Sequence, residues 1–281
     1  MKNTSPLGEY GVWRHAEGLF PDLAAAIERL GYGTLWVGVS PPADLELAER
    51  LLDATERIIV ATGVVNIWAA DAEAIAASYR RLEERYPGRF LLGVGVGHPE
   101  MAGDRYRRPY SALVEYLDVL DREGVPVNRR VLAALGPKVL TLSAARAAGA
   151  HPYLTTPEHT RSARETLGSD ALLAPQQKVV LSTDVDAARA IARATVANPY
   201  LKRRNYRANL ERTGFAAEEL DSDGTDRVVD ALVAHGDADH LAGRLRDHRA
   251  AGADHVAVQA LPVQDDPLPT LGALAAALGL C

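Results

Sequence analysis

The stretch RRVLAALGPKVLTLSAARAAGAHPYLTT, residues 129–156, reads as one strand–helix–strand unit. An apolar strand over 131–135 runs into Gly136-Pro137, where a helix begins at once, and a second strand over 150–154 follows Gly149. Proline at the first helical position forfeits no hydrogen bond, because that N–H has no intrahelical acceptor. Gly136 lets the backbone come close to whatever occupies the turn. The first amides of the helix are then available to an anion such as phosphate, although a short strand–helix turn also serves as a plain connection.

The same unit recurs along the chain. Short apolar runs over 8–13, 34–39, 58–65, 90–96, 131–135, 150–154, 179–182 (or slightly earlier) and 255–260 read as strands. Amphipathic, Ala-rich stretches over 20–30, 44–55, 72–86, 109–123, 137–148, 157–167, 184–194 and 237–251 read as helices, with a closing helix over 270–280. Apolar strands without alternation belong to a parallel sheet buried on both faces. Pro21, Asp71, Pro109, Pro137, Pro157 and Asp184 start helices, and Gly31, Gly88, Gly149 and Gly252 end them. Eight β and eight α units predict an α/β fold of the (β/α)8 TIM-barrel type, built as a single domain over 1–281. Residues 198–234 break the rhythm with short helical patterns and no strand, and read as a helical insertion before the last βα unit.

Composition narrows the function classes. A chain of 281 residues that is 47% hydrophobic and 24% charged is ordinary for a globular protein. Its formal net charge of −6, with scattered Lys and Arg, argues against nucleic-acid and membrane-surface roles. Its single cysteine, Cys281, forms no internal disulfide and no thiolate cluster, as in a reducing compartment. There is no apolar run of spanning length, and the start MKNTSPLGEY has no signal-peptide core, so the expected location is cytoplasmic.

In a barrel the chemistry sits where strands end. Those positions hold Trp13, Arg14 and His15, then Ser40, Asn66 and Trp68, then Gly97 and His98. Gly136, Pro137 and Lys138 follow, with Thr155, Thr156, Gln176, Gln177 and Gln259 completing a polar, Gly-rich rim. No metal is expected, because His15, His98 and His151 lie on separate loops without neighbouring ligands. No nucleophile elbow is present, and Ser40 before Pro41-Pro42 is equally a turn residue. The run LGVGVG, residues 92–97, is not a dinucleotide fingerprint, since no helix starts directly after it. Gly95 and Gly97 either allow tight strand packing or clear a backbone surface for a flat ring. His98 reads as a solvated loop residue or a proton donor. Arg105, Arg107 and Arg108 read as a solvated loop or as an attraction for an acidic cofactor tail.

Together with these residues, IIVATGVVNIW (58–68), YPGRFLLGVGVGHPE (86–100), YRRPYSALVEYLDVLD (106–121), LLAPQQKVVLSTD (172–184) and AGADHVAVQALP (251–262) make the chain similar to a known family. It resembles the bacterial-luciferase-like superfamily, and within it an actinobacterial subfamily of oxidoreductases that use the deazaflavin coenzyme F420. The resemblance implies a luciferase-like barrel whose third strand ends in a bulge with a non-prolyl cis peptide behind the cofactor ring, here Gly63-Val64. It implies a cofactor phosphate at Leu135, Gly136, Pro137 and Lys138, and a ring beside Gly95, Gly97 and His98, with Trp13, Ser40 and Asn66 nearby. One departure stands out: related dehydrogenases end the second strand in an Asp-His acid–base pair, where this chain has Val39-Ser40. His98 or His15 is the expected substitute. The implied function is hydride transfer between F420 and a small organic substrate in a homodimer. The alternatives are an FMN-dependent monooxygenase and a barrel that binds (deaza)flavin without catalysis.

Overall fold

The computed structural model describes residues 7–99, 103 and 106–280, which excludes Arg105 and Cys281. The strands among these residues are β1 (Tyr10–His15), β2 (Thr34–Gly38), β3 (Ile59–Gly63), β4 (Val65–Asn66), β5 (Phe90–Gly95) and β6 (Arg130–Leu132). After them come β7 (Gly149–Ala150), β8 (Leu172–Leu173), β9 (Gln176–Leu181), β10 (Val233–Gly236) and β11 (Val256–Ala260). The helices are α1 (Pro21–Arg29), α2 (Glu46–Asp53), α3 (Ala72–Arg85), α4 (Pro109–Arg122), α5 (Pro137–Arg146) and α6 (Pro157–Leu167). They continue with α7 (Val185–Ala197), α8 (Arg204–Arg212), α9 (Asp226–Leu232), α10 (Ala238–Ala250) and α11 (Leu268–Leu278).

All strand pairs are parallel, and β1, β2, β3, β5, β6, β7 and β8 are neighbours in series. The segment 172–181 closes the series. Its first part, β8, pairs with β7, and its second part, β9, pairs with β11, which lies against β1. The result is the expected α/β barrel. Alternation along the strands sorts side chains into two layers. Val12, Leu35, Val60, Leu92, Val179 and Val258 face the helices, whereas Trp36, Ile59, Ala61, Leu91, Val131 and Ala257 fill the interior. The interior is therefore a packed core and not a channel.

Local chemistry sets the helix starts as read from the sequence. Pro21, Pro109, Pro137 and Pro157 each open a helix. Asp71 caps α3 by accepting from the N–H groups of Glu73 and Ala74, and Asp184 and Asp237 cap α7 and α10.

Several boundaries differ from the sequence reading, among them the strand read over 131–135, which pairs only over Arg130–Leu132. The strand over 150–154 is only two residues long, because Pro152 lacks an N–H and Leu154 adopts φ 55°, outside any strand geometry. The helical stretch after α7 ends at Leu232, not at 234. Val233–Gly236 is a strand on the edge of β9 away from β11, where apolar Val233 and Ala234 find backbone partners. The segment between α7 and β10 packs in a second apolar cluster that it shares with the barrel, where Leu210, Phe215, Leu220 and Val229 meet Ala192 of α7, Val180 of β9, Val233 of β10 and the loop residues Leu154 and Leu261.

Candidate active site

The uppermost inward-facing positions form the floor of the candidate site. They are Trp13, Gly38, Gly63, Gly95 and Lys178, with Gln259 beside them. Between Gly63 and its neighbours the sheet carries a bulge. Ala61 pairs with Leu91 and Val65 with Val94, so the third strand holds one residue more than its partner over the same span. The Thr62 hydroxyl bridges the gap, accepting from Gly93 N–H at 2.7 Å and donating to Gly93 C=O at 2.8 Å. Gly63-Val64 is a cis peptide, at the position the resemblance implied, and both residues stay partly exposed.

Within this floor the Trp13 indole lies over Gly38 and Gly63. Its Nε1 donates to Gly63 C=O at 3.2 Å, and a side chain at Gly38 would meet the indole at 2.3 Å. Ser40 and Asn66 tie the bulge together: the Asn66 N–H donates to Ser40 Oγ at 2.9 Å, and Asn66 Oδ1 accepts from Trp68 N–H at 3.0 Å. In the structure, neighbouring side chains take the space beside Gly95 and Gly97. A Cβ on Gly95 would lie 2.8 Å from Ala133 Cβ and 3.0 Å from Val64, and one on Gly97 would lie 2.6 Å from Asn66 Nδ2. Val39, half exposed, takes φ 62° at the end of β2, a region β-branched residues seldom enter.

The centre of the site is a residue the sequence reading passed over. Lys178 on β9 is 1% exposed, and its Nζ donates to Tyr153 Oη and to Gln259 Oε1, each at 2.6 Å. Gln259 Oε1 also accepts from Tyr153 Oη and from Gln176 Nε2, both at 2.9 Å. Burial pushes the Lys178 ammonium down to about 7. Tyr200 donates to Tyr153 Oη at 3.3 Å, and Tyr206 packs edge-on against Tyr200. Both come from the segment after α7 and cover the mouth. Next to Trp13 and His15 there remains a cleft of about 10 Å³, room for a single water. A lysine in the apolar run QQKVVL was the available signal, because a charge there needs a reason.

The histidines separate into two groups. His15 stands edge-on to Trp13 at 5.4 Å, and His98 lies 5.8 Å from Tyr206, so both belong to the mouth. Burial, and then the Lys178 charge, lower the His15 pKa. His151, deep in the barrel, stacks on Trp36 at 3.9 Å and donates from Nδ1 to Ala174 C=O, which leaves its Nε2 buried without a partner beside Gly63. Burial holds His151 near 3 and His255 near 4.

A second locus lies at the α5 N-terminus. Gly136 is open. The nearest atom to a Cβ there would be Arg212 Nη2 of α8, at 3.8 Å. Exposed Lys138 and the first helical amides face the same turn, and His159 Nε2 donates to Leu135 C=O at 2.9 Å. Leu135, Gly136, Pro137 and Lys138 thus form a cradle that fits an anion, to which the insertion adds a guanidinium that no sequence motif announced. No cluster of three or more metal-ligating side chains occurs among the described residues, and no described helix is long and apolar enough to cross a membrane.

Known proteins share this architecture. Residues 11–124 match the family model for luciferase-like monooxygenases. A Mycobacterium tuberculosis protein named as a coenzyme F420-dependent oxidoreductase is 28% identical over 128 residues, which is 43% of this chain and 35% of that protein. An F420-dependent secondary alcohol dehydrogenase, solved with an F420–acetone adduct, superposes with a TM-score of 0.75 at 14% identity, covering 97% of this chain and 98% of its own. The F420-dependent tetrahydromethanopterin reductase of Methanopyrus kandleri gives 0.72 at 14%, covering 95% and 97%. The FMN-bound oxygenating constituent of a Pseudomonas putida Baeyer–Villiger monooxygenase gives 0.70 at 14%, covering 95% and 96%. At such identities the structures share the fold alone.

Proposed function

On this luciferase-like barrel we propose an oxidoreductase that uses coenzyme F420 for hydride transfer to or from a small organic substrate. The observation that carries the reading is the open Gly136 cradle with Arg212 beside it, at the same end of the barrel as the Gly63-Val64 bulge. Bound there, reduced deazaflavin would supply a hydride to an organic acceptor. Gly136, Lys138 and Arg212 hold the anionic tail, Gly63 and Val64 back the ring, and Trp13 with Tyr200 and Tyr206 keeps water from the reacting atoms. The M. tuberculosis relative supports F420, and the FMN-bound neighbour supports an FMN-dependent monooxygenase as the second reading. A barrel that binds without catalysis is the third, on the strength of Val39-Ser40. We further expect a homodimer, to be read by light scattering, acting on small molecules in the cytoplasm.

The test is a paired titration of the protein with F420 and with FMN, followed by fluorescence. Tight F420 binding with weak FMN binding is expected; the reverse preference moves the chain to the monooxygenases, and binding of neither removes the function. Gly136→Asp places a carboxylate in the anion cradle and is expected to weaken F420 at least about a hundredfold. Arg212→Ala, which removes a charge-assisted partner, is expected to weaken it about tenfold or more. Unchanged affinity in both variants would put the phosphate elsewhere.

A further inference from the structure

Hydride transfer to a carbonyl leaves a negative charge on oxygen, which needs a proton. At the end of β2, Val39 carries no proton donor and Ser40 Oγ accepts from the Asn66 N–H of the bulge, in place of the acid–base pair of the related dehydrogenases. On the opposite side of the floor stands a sealed amine in contact with the hydroxyl of a partly exposed tyrosine. Lys178 Nζ touches Tyr153 Oη at 2.6 Å, and Tyr153 keeps part of its surface exposed at the mouth. We propose that Tyr153 is the catalytic acid–base of this barrel and that Lys178 is the positioning residue that resupplies its proton. The proposal rests on the F420 reading and names the group that completes it.

In the reducing direction the carbonyl carbon gains the hydride with its two electrons, and the deazaflavin is oxidised. The Tyr153 hydroxyl, which donates to Gln259 Oε1 in the resting site, turns to the carbonyl oxygen and gives up its proton, and Tyr153 Oη takes one from the Lys178 ammonium, leaving a neutral amine. In the reverse direction the neutral amine receives the proton of an alcohol by the same path. Tyr153 does not act alone: burial raises its pKa well above the usual phenol range, so it gives a proton only as it receives one. Lys178 suits the return step, because a buried ammonium gives up its proton near neutrality.

The surroundings leave this pair unopposed. The groups facing Nζ are Tyr153 after β7, Gln259 on β11, the Trp13 ring at 6.0 Å on β1 and the Tyr200 ring at 5.7 Å from the insertion. The titratable neighbours are Tyr153, Tyr200 and His15, and Lys178 disfavours the charged form of His15. Among the described residues no carboxylate forms an ion pair with Lys178, and the charged form is favoured only by ring faces and neutral oxygens.

Two measurements test the proposal. The chain has four lysines, at positions 2, 138, 178 and 202, so 13C-labelled lysine gives a countable NMR spectrum. In the protein without cofactor one lysine should titrate near 7 and vanish in Lys178→Met, and saturating oxidised F420 should move that midpoint. Four lysines titrating near the ordinary value, or a midpoint unmoved by bound F420, would overturn it. A failure to bind F420 at all would instead strike the functional reading and leave the titration standing.

The second measurement uses protein loaded with reduced F420 and cyclohexanone as the acceptor at pH 6. Wild-type protein should reduce the ketone, with a rate limb that falls as pH rises through about 7. Lys178→Met and the isosteric Tyr153→Phe should each slow turnover about a hundredfold, with KM within about threefold and the limb lost. F420 affinity and thermal midpoint, measured alongside, show that each variant is folded and loaded. A wild-type protein that holds reduced F420 yet leaves the ketone untouched counts against the proposal, and so does a variant that keeps both rate and limb.

Discussion

Acidification to about pH 5 is expected to unfold this protein cooperatively, because three histidines are locked inside it uncharged. Burial holds His151 and His248 at about 3 and His255 at about 4, while in the unfolded chain each returns to about 6.5. Their folded values are depressed, so below pH 6.5 the unfolded state takes up protons that the folded state refuses, and stability falls with pH. Each group contributes about 1.4 kcal/mol per pH unit in that window, hence about 4 kcal/mol per unit for three. Because the unfolded histidines are half protonated at about pH 6.5, a drop from there to pH 5 removes about 5 kcal/mol, on the scale of a whole domain's stability. His159, also lowered by burial, acts in the same direction. Trp36 is a built-in reporter, since it stacks on His151 and its Nε1 donates to His255 Nε2 at 3.0 Å. Urea titrations at successive pH values should show the slope, and His248→Gln should reduce it by about a third. A stability that is level between pH 7 and 4.5 would show that these histidines are not held neutral.

Gly93→Ala is expected to be severely destabilising. A Cβ at position 93 would lie 2.0 Å from the backbone oxygen of Thr62 and 3.0 Å from Val64, so a strand has to move and not merely a rotamer. The movement breaks both Thr62–Gly93 hydrogen bonds and dissolves the bulge that sets Gly63-Val64. A loss of about 3 kcal/mol or more is expected, with insoluble expression as its visible form. Gly243→Ala is the matched control. It adds the same methyl within α10, where nothing lies within 4 Å, and should stabilise by about 0.5–1 kcal/mol. Denaturant midpoints for the two variants check the contrast; a folded, wild-type-like Gly93→Ala would show that the bulge does not depend on this close approach.

The barrel was legible because its signals are local and repeated. Proline at a helix start, glycine at its end and an unbroken apolar run between them need only a few neighbouring residues to be read, and Pro137 and Pro157 stand where they were expected. The two-residue β7 was not legible, since Leu154 takes its left-handed turn from contacts with the distant insertion cluster. The anion cradle was half visible. Gly136-Pro137 announces a turn, but Arg212 reaches it from 76 positions downstream by tertiary packing alone. Gly95 and Gly97 show the opposite limit: a glycine states that a side chain is absent but not what fills the space, and here Ala133, Val64 and Asn66 fill it. Lys178 was visible as a letter and lost as a meaning, because only the closed barrel brings Tyr153 and Gln259 to it.

The apolar cluster around residues 198–232 also takes in Val180 of β9 and Val233 of β10, so the insertion and that edge of the barrel share one packing unit. Loosening the insertion is therefore expected to be felt on β9, the strand that carries Lys178, through side chains that touch both.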